Sequence, residues 1–449
     1  MKSWIVQLGY SLVQMMLTKL LLNEKAQAAP NTYYHATRNP FQTFCPLKEH
    51  YEADVCIVGG GLTGVSTALD IAQKGYSTLL LESQRIGDGA SGRNGGQLVN
   101  GFGCSINTLQ KCVGHDAAKQ LWHMTNDFID EIDNRIRTYN IKCDRANGYI
   151  FAATNPLQMR SLRILQKKLS NDYQYLNTSI LEKEDMRSWI KTDLYYGGLI
   201  DHKCGQIHPL NYLQGLTLAA RTLGVRFFEN SKAISLSFGN RLKVQTSGGS
   251  VSAKYVVLAG NAHLITSHRQ VQRNITSVTS SIAVTAPLPK ELVKKLFPGN
   301  VAIADCNNIL DYYRLTKDRR LIFGAGADFL GSEPDNIEDF IKRRIIRLFP
   351  EIKELKLDYA WNGFIASTIK KIPLLSVLNS NVYFAQGFSG HGLALTGLAG
   401  KLISEAIAGN SGRFRLLADV KHRAFLPSPL KNTSLRIAKW LRQIEDHIH

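Results

Sequence analysis

Apolar and polar positions follow two rhythms along this chain. Short unbroken apolar runs, Val55-Cys56-Ile57-Val58, Thr78-Leu79-Leu80-Leu81 and Tyr255-Val256-Val257-Leu258-Ala259-Gly260, have the length expected of parallel strands covered on both faces. Longer stretches repeat near 3.6 residues. Leu121, Met124, Phe128, Ile129, Ile132 and Ile136 mark a helix within residues 109–139. Further helices are predicted at 65–73, 158–169, 182–190, 210–223 and 336–348, and β segments at 148–153, 225–228, 233–238, 309–315 and 320–324. Residues 381–408 read as strand, glycine loop and helix. Strand–turn units near residues 55, 255 and 385, separated by β-rich stretches, predict an α/β chain with two interleaved domains. Its 449 residues also exceed what one hydrophobic core usually serves.

The first of these units carries a chemical signature. Gly59-Gly60-Gly61-Leu62-Thr63-Gly64 follows the first strand at once, giving the G-x-G-x-x-G spacing through Gly59, Gly61 and Gly64. Gly59 permits a tight turn, Gly61 lets backbone N–H groups approach a pyrophosphate, and Gly64 allows close helix–strand packing. The helix start adds unpaired N–H groups and a positive dipole end. Glu82 closes the second strand, about twenty residues on, where an acid can bond both ribose hydroxyls of an adenosine. A glycine turn alone is weak evidence. In this full context it predicts a bound dinucleotide.

Charge and cysteine usage narrow the setting. The formal net charge of +18 could serve nucleic acid, an anionic membrane or an acidic substrate. The Lys and Arg residues are dispersed and not interleaved with aromatics, which argues against nucleic acid. Seven scattered cysteines without a C-x-x-C pair argue against a zinc site or dithiol motif and suit a reducing cytosol. The run from Trp4 to Leu22 is interrupted by Gln7, Gln14, Thr18 and Lys19, making it a poor signal core and a poor membrane span. The expectation is a cytoplasmic protein, with membrane contact through this segment left open.

Three motifs together carry a resemblance. Gly89-Ala90-Ser91-Gly92-Arg93-Asn94-Gly95-Gly96-Gln97, Gly205-Gln206-Ile207-His208-Pro209 and Gln386-Gly387-Phe388-Ser389-Gly390-His391-Gly392 resemble the FAD-dependent D-amino-acid-oxidase superfamily. Within it the chain is most similar to the gamma-glutamylputrescine oxidases, with echoes at Asp305-Cys306-Asn307 and Leu310-Asp311-Tyr312-Tyr313-Arg314-Leu315-Thr316. The resemblance implies a glutathione-reductase-type, Rossmann-like FAD-binding domain (51–115, 196–275, 356–412) interleaved with an α+β substrate domain (116–195, 276–355). Residues 1–50 form a lead-in and 413–449 an extension. It also implies FAD, amine oxidation, and reoxidation by dioxygen or another acceptor. In relatives with covalent flavin the attaching cysteine shortly precedes the last glycine loop. Trp361-Asn362-Gly363-Phe364 stands there and no cysteine follows Cys306, so FAD is expected to bind noncovalently.

The remaining candidates follow from position. Arg93 can neutralise phosphate or stand near the flavin, while Ser91, Asn94 and Gln97 can donate hydrogen bonds; alternatively this is a structural loop whose polar side chains satisfy backbone groups. Gly95 and Gly96 keep that loop flexible, and Ala259 and Gly260 allow close approach to FAD. Gly387, Ser389, Gly390, His391 and Gly392 open the last helix, whose N-terminus suits negative charge on a reduced flavin. His391 is a candidate base, or a structural residue between glycines. Tyr312, Arg314 and Thr316 alternate on one strand face. Superfamily members commonly set an arginine there against the substrate carboxylate, so Tyr312 and Arg314 are the substrate candidates. No metal cluster is expected. Residues 274–285, where some relatives carry an oxygen-assisting lysine, contain none. The alternatives are a sarcosine- or glycine-type oxidase, a membrane-associated quinone-linked amine dehydrogenase (suggested by the N-terminal run and a basic C-terminal helix with Arg436, Lys439, Trp440 and Arg442), an RNA-modifying flavoprotein, or a flavin-binding protein without catalysis.

Overall fold

The computed structural model describes residues 31–263, 273–328, 336–352, 354 and 356–426. The N-terminal apolar run and the basic segment holding Arg436, Lys439, Trp440 and Arg442 lie outside the described residues. Among the described residues no helix is long and apolar enough to cross a membrane.

Two sheets organise the chain, of eight and nine strands among the described residues. The first runs Leu374–Leu378, Val382–Gln386, Ser250–Leu258, His50–Val58, Thr78–Leu81, Arg226–Phe228. Each step of this order from Val382–Gln386 to Arg226–Phe228 is parallel. Such strands are covered on both faces, and Val55, Cys56, Ile57, Val256 and Val257 are fully buried. The Leu62–Ala72 helix is buried on all sides from Leu62 to Ile71, because helices Pro209–Thr222 and Gly392–Ile407 also pack against it. That approach depends on small residues: a Cβ on Gly400 would stand 2.8 Å from the Thr67 nitrogen. Asp70 on the Leu62–Ala72 helix pairs with Arg135 of His115–Thr138 at 2.7 Å, both nearly inaccessible.

The second sheet runs Leu357–Ser367, Thr276–Thr285, Leu321–Asp328, Asp311–Leu315, Ala302–Asp305, Ala146–Ala153, Gly197–Gln206, Gln97–Leu98. Alternation gives it two distinct faces. Ala283, Phe323, Tyr313 and Ile303 form a cross-sheet row in one core, shared with Ile341 and Ile345 of helix Ile337–Leu348. The next row, Ile282, Gly324, Tyr312 and Ala304, belongs to the other face.

Three sequence expectations change here. The strands Gly197–Gln206 and Leu357–Ser367, grouped above with the FAD-binding segments, pair in the second sheet. Gly197–Gln206 bonds to strands on both sides, and its glycines, acid and basic residues hide any alternation. The helix predicted over 109–139 divides at Gly114, whose φ of 86° stops Ile106–Val113 before His115–Thr138 begins. The segment 182–190 supplies only the short helix Lys183–Met186, after a strand over Thr178–Glu182.

Candidate active site

Strand register fixes where the site lies. Val58 pairs with both Leu81 and Leu258, and Leu258 pairs with Phe384. The carboxyl ends of these strands therefore end level, and the turns after them, at Gly59, Glu82, Ala259 and Gly387, meet along one edge. Ligands of open parallel sheets bind beyond that edge. A single cavity of about 910 Å³ begins there and continues to the second sheet, with Gly59–Thr63, Ala259–Gly260 and Tyr312 on its wall.

The first turn is shaped by close approach. Gly59 has φ 116°, and a Cβ on it would stand 2.8 Å from the Ala259 carbonyl oxygen. A Cβ on Gly64 would come within 1.9 Å of the Gly59 oxygen, so that glycine serves helix–strand packing and does not face the cavity. Glu82 accepts from the Gly60 N–H at 2.6 Å and from the Gln84 N–H at 2.9 Å. Burial pushes its carboxyl pKa upward against these bonds. Part of the residue stays open to the cavity, where a pair of hydroxyls could reach it.

The 89–97 loop fastens that turn to the second sheet. Ser91 Oγ accepts from the Leu62 N–H at 2.9 Å, at the start of the helix. Trp361 donates its indole N–H to the Arg93 carbonyl, and Arg93 Nε donates to the Asp88 carbonyl. Asn94 is spent on the loop itself: its Nδ2 donates to the Ala90 and Ser91 carbonyls, and its Oδ1 accepts from the Gly96 N–H. Gln97 Nε2 donates to the Ile303 and Tyr313 carbonyls. For Asn94 and Gln97 backbone carbonyls take these donors, although both still border the cavity. Gly95 borders it too, while Gly96, at φ 72°, lies behind it.

Arg314 requires a correction. It is buried, does not line the cavity, and donates to the Gly95 carbonyl at 2.7 Å, the Tyr34 hydroxyl at 3.2 Å and the Ile207 carbonyl at 3.2 Å. Alternation did put Tyr312 and Arg314 on one strand face, but the 95–96 turn lies between Arg314 and the open space. The guanidinium braces the loop and stands behind it, away from the cavity lining. Tyr312 does reach the cavity, packed between Gly95 and Gly324, with its hydroxyl 3.0 Å from Ser280 Oγ. Burial pushes its phenol up to about 12.

The last glycine loop closes the opposite end. Gly387 (φ 77°) donates its N–H to Asn261 Oδ1, and Ser389 bonds to Gly387 and Thr368. Gly390, His391 and Gly392 border the cavity at the N-terminus of helix Gly392–Ile407, whereas Gly387 lies behind it. Burial, with Lys371 nearby, holds the His391 imidazole down to about 4, so it is neutral at pH 7. Asn261 and Lys371 went unnoticed in the sequence: single polar residues in turns, both at positive φ, carry no periodic signal. Between the loops and the second sheet, Tyr149, Phe151, Leu162, Leu165 and Phe364 make an apolar chamber. Cys306 borders it, its thiol pushed up to about 12 by burial and by Asp305. Among the described residues no His, Cys, Asp and Glu cluster could hold a metal.

This geometry suits a dinucleotide reaching from a glycine cradle to a helix N-terminus, beside an apolar chamber. The chain matches the FAD dependent oxidoreductase (DAO) family over residues 54–406. It belongs to that family. It is 38% identical over 396 residues to the gamma-glutamylputrescine oxidoreductase of Escherichia coli (strain K12), covering 88% of this chain and 93% of the relative. It is also 38% identical over 406 residues to the probable oxidoreductase OrdL of Haemophilus influenzae, covering 89% and 93%. Among solved structures, the L-amino acid deaminase of Proteus vulgaris superposes with a TM-score of 0.68 at 16% identity, covering 84% of this chain and 99% of the other. This chain is thus an FAD-dependent oxidoreductase with the DAO fold.

Proposed function

We propose that this chain oxidises the primary amine of gamma-glutamylputrescine, or a similar amine, to an imine that water hydrolyses to an aldehyde and ammonia, in cytoplasmic putrescine breakdown. Dioxygen is the acceptor in this reading, with hydrogen peroxide as the second product. The observation that carries it is the E. coli match, which runs through both sheets and so through both walls of the cavity.

The residues that would hold FAD are Gly59, Gly61 and the Leu62–Ala72 helix start for the pyrophosphate, Glu82 for the ribose, and Ser91, Arg93, Gly260 and Gly390–Gly392 along the remainder. When bound, FAD supplies the two-electron oxidant that removes hydride from the amine carbon. The chain does the rest by positioning and desolvation. Its apolar chamber fits a tetramethylene stem and favours the neutral form of an amine, whose lone pair is needed. Tyr312 and Ser280 offer a hydroxyl pair on an otherwise apolar wall. The N-terminus of helix Gly392–Ile407 directs positive potential into the cavity. His391, neutral at pH 7, can donate or accept there without adding charge.

The test is anaerobic mixing of the yellow holoenzyme with gamma-glutamylputrescine, putrescine, sarcosine and glycine. Gamma-glutamylputrescine should bleach the flavin fastest, and aerobic turnover should release peroxide. Preferential bleaching by sarcosine or glycine would replace the substrate assignment, and an unbleached flavin with all four would end it.

A further inference from the structure

The outer face of helix Pro156–Tyr173 takes no part in the cavity. Helix Pro156–Tyr173 turns Leu162 and Leu165 toward the cavity and its opposite side toward solvent. On that outer side Leu157 is 56% exposed and Ile164 58%, seven residues apart and hence on one stripe. Arg160, Arg163 and Lys167 stand exposed among them. Arg163 pairs with Glu182; among the described residues no ion pair holds Arg160 or Lys167. The helix carries a single acid, Asp172, near its far end.

The same stripe adjoins an opening. Leu310 both lines the cavity and is 44% exposed, so it stands where the cavity meets solvent. Asn307 Oδ1 accepts from Thr154 Oγ1 at 2.8 Å and from Gln158 Nε2 at 3.0 Å, clamping the 307–310 segment to the helix start beside Leu157. The stripe of exposed aliphatics and unpaired cations therefore starts beside this opening and runs on along the helix.

We infer that this rim, the outer face of helix Pro156–Tyr173 with Leu310, docks on the surface of an anionic lipid bilayer. Aliphatic side chains beside arginine and lysine are what a helix lying in a lipid interface presents. Charge complementarity favours anionic headgroups, and the net charge of +18 adds long-range attraction. A nucleic acid fits this face less well, because bases stack on aromatic rings and the exposed apolar residues here are leucine and isoleucine. The contact turns the cavity opening toward the lipid.

The experiment uses full-length holoenzyme and sedimentation with vesicles of phosphatidylcholine alone or with 30% phosphatidylglycerol (about one charged lipid in three, within the anionic range at which polybasic surfaces bind). Wild type should pellet only with the anionic vesicles. A variant carrying Leu157→Ser and Ile164→Ser should pellet at least tenfold less, and one carrying Arg160→Glu and Lys167→Glu less still, since each cation is worth about fivefold in partitioning. FAD content and turnover in buffer should match wild type in both variants, whose altered side chains point away from the cavity. Three results would overturn the assignment: no pelleting of wild type at low salt, pelleting of both variants like wild type, or loss of a dimer on substituting Leu157 and Ile164. The last would make this face a contact between copies.

Discussion

Gly61 and Gly64 stand three residues apart in one motif, and the structure assigns them different physical tasks that substitution should separate. A Cβ on Gly64 would lie 1.9 Å from the backbone oxygen of Gly59. A close C···O contact needs about 3.3 Å, so the helix would have to withdraw by about 1.4 Å from the strand that anchors the first sheet. Overpacking of that kind costs about 3 kcal/mol, and in a chain of this size roughly 2 °C of Tm accompanies each kcal/mol, giving a fall of about 6 °C. Gly61 differs, because its Cβ would meet only Ser91 Oγ, at 2.8 Å. A serine can rotate away at the loss of one hydrogen bond, about 1 kcal/mol, but the methyl group then occupies the path of the pyrophosphate. Far-UV circular dichroism melts of FAD-stripped protein and FAD titration by flavin fluorescence read the two effects. Gly64→Ala should lose about 6 °C even without FAD. Gly61→Ala should melt within about 2 °C of wild type yet bind FAD at least 30-fold more weakly, about 2 kcal/mol. A Gly64→Ala protein with wild-type melting and FAD affinity would refute the packing assignment.

Arg314→Ala should cost about 3 kcal/mol in urea unfolding, because the Gly95 and Ile207 carbonyls lose their donor; an unchanged midpoint with a higher KM would restore the substrate role. Acid precipitation should release all of the yellow colour, and pigment retained in the pellet would show a covalent flavin. Asp305 is pushed up to about 7 by burial and by Asp311, above its ordinary 3.8. The folded state then holds a proton that the unfolded state releases. Stability from this group is complete below about pH 4 and is lost as pH rises to about 7, by at most about 4 kcal/mol. Urea midpoints at pH 5 and pH 8 should therefore differ less in Asp305→Asn than in wild type, and equal differences would count against this assignment.

The parts of the site legible in the sequence are those fixed by contacts close along the chain. Gly59, Gly61, Gly64 and Glu82 lie within one strand–turn–helix–strand unit, so spacing alone predicted their places in the turn and at the strand end. The last glycine loop was legible for the same reason, being the start of a helix. Arg314 shows where this reading stops. Alternation names the face of a strand but not the loop from 219 residues away that covers half of it. Asn94 and Gln97 have the donors expected of ligand contacts, yet backbone carbonyls of their own loop and of the second sheet take them. Gly197–Gln206 was unreadable as a strand of the second sheet because its pairing partners, not its side-chain pattern, define it.

The bonds made by the 89–97 loop have a kinetic corollary. Ser91 ties it to a helix of one layer, while Trp361, Arg314 and Gln97 tie it to strands of the other. The two halves of the molecule are thereby stitched along this loop, and that seam borders the cradle. Cofactor exchange would have to unpick stitches belonging to both halves, so residence time of FAD should track cohesion between the layers as much as affinity within the glycine turn.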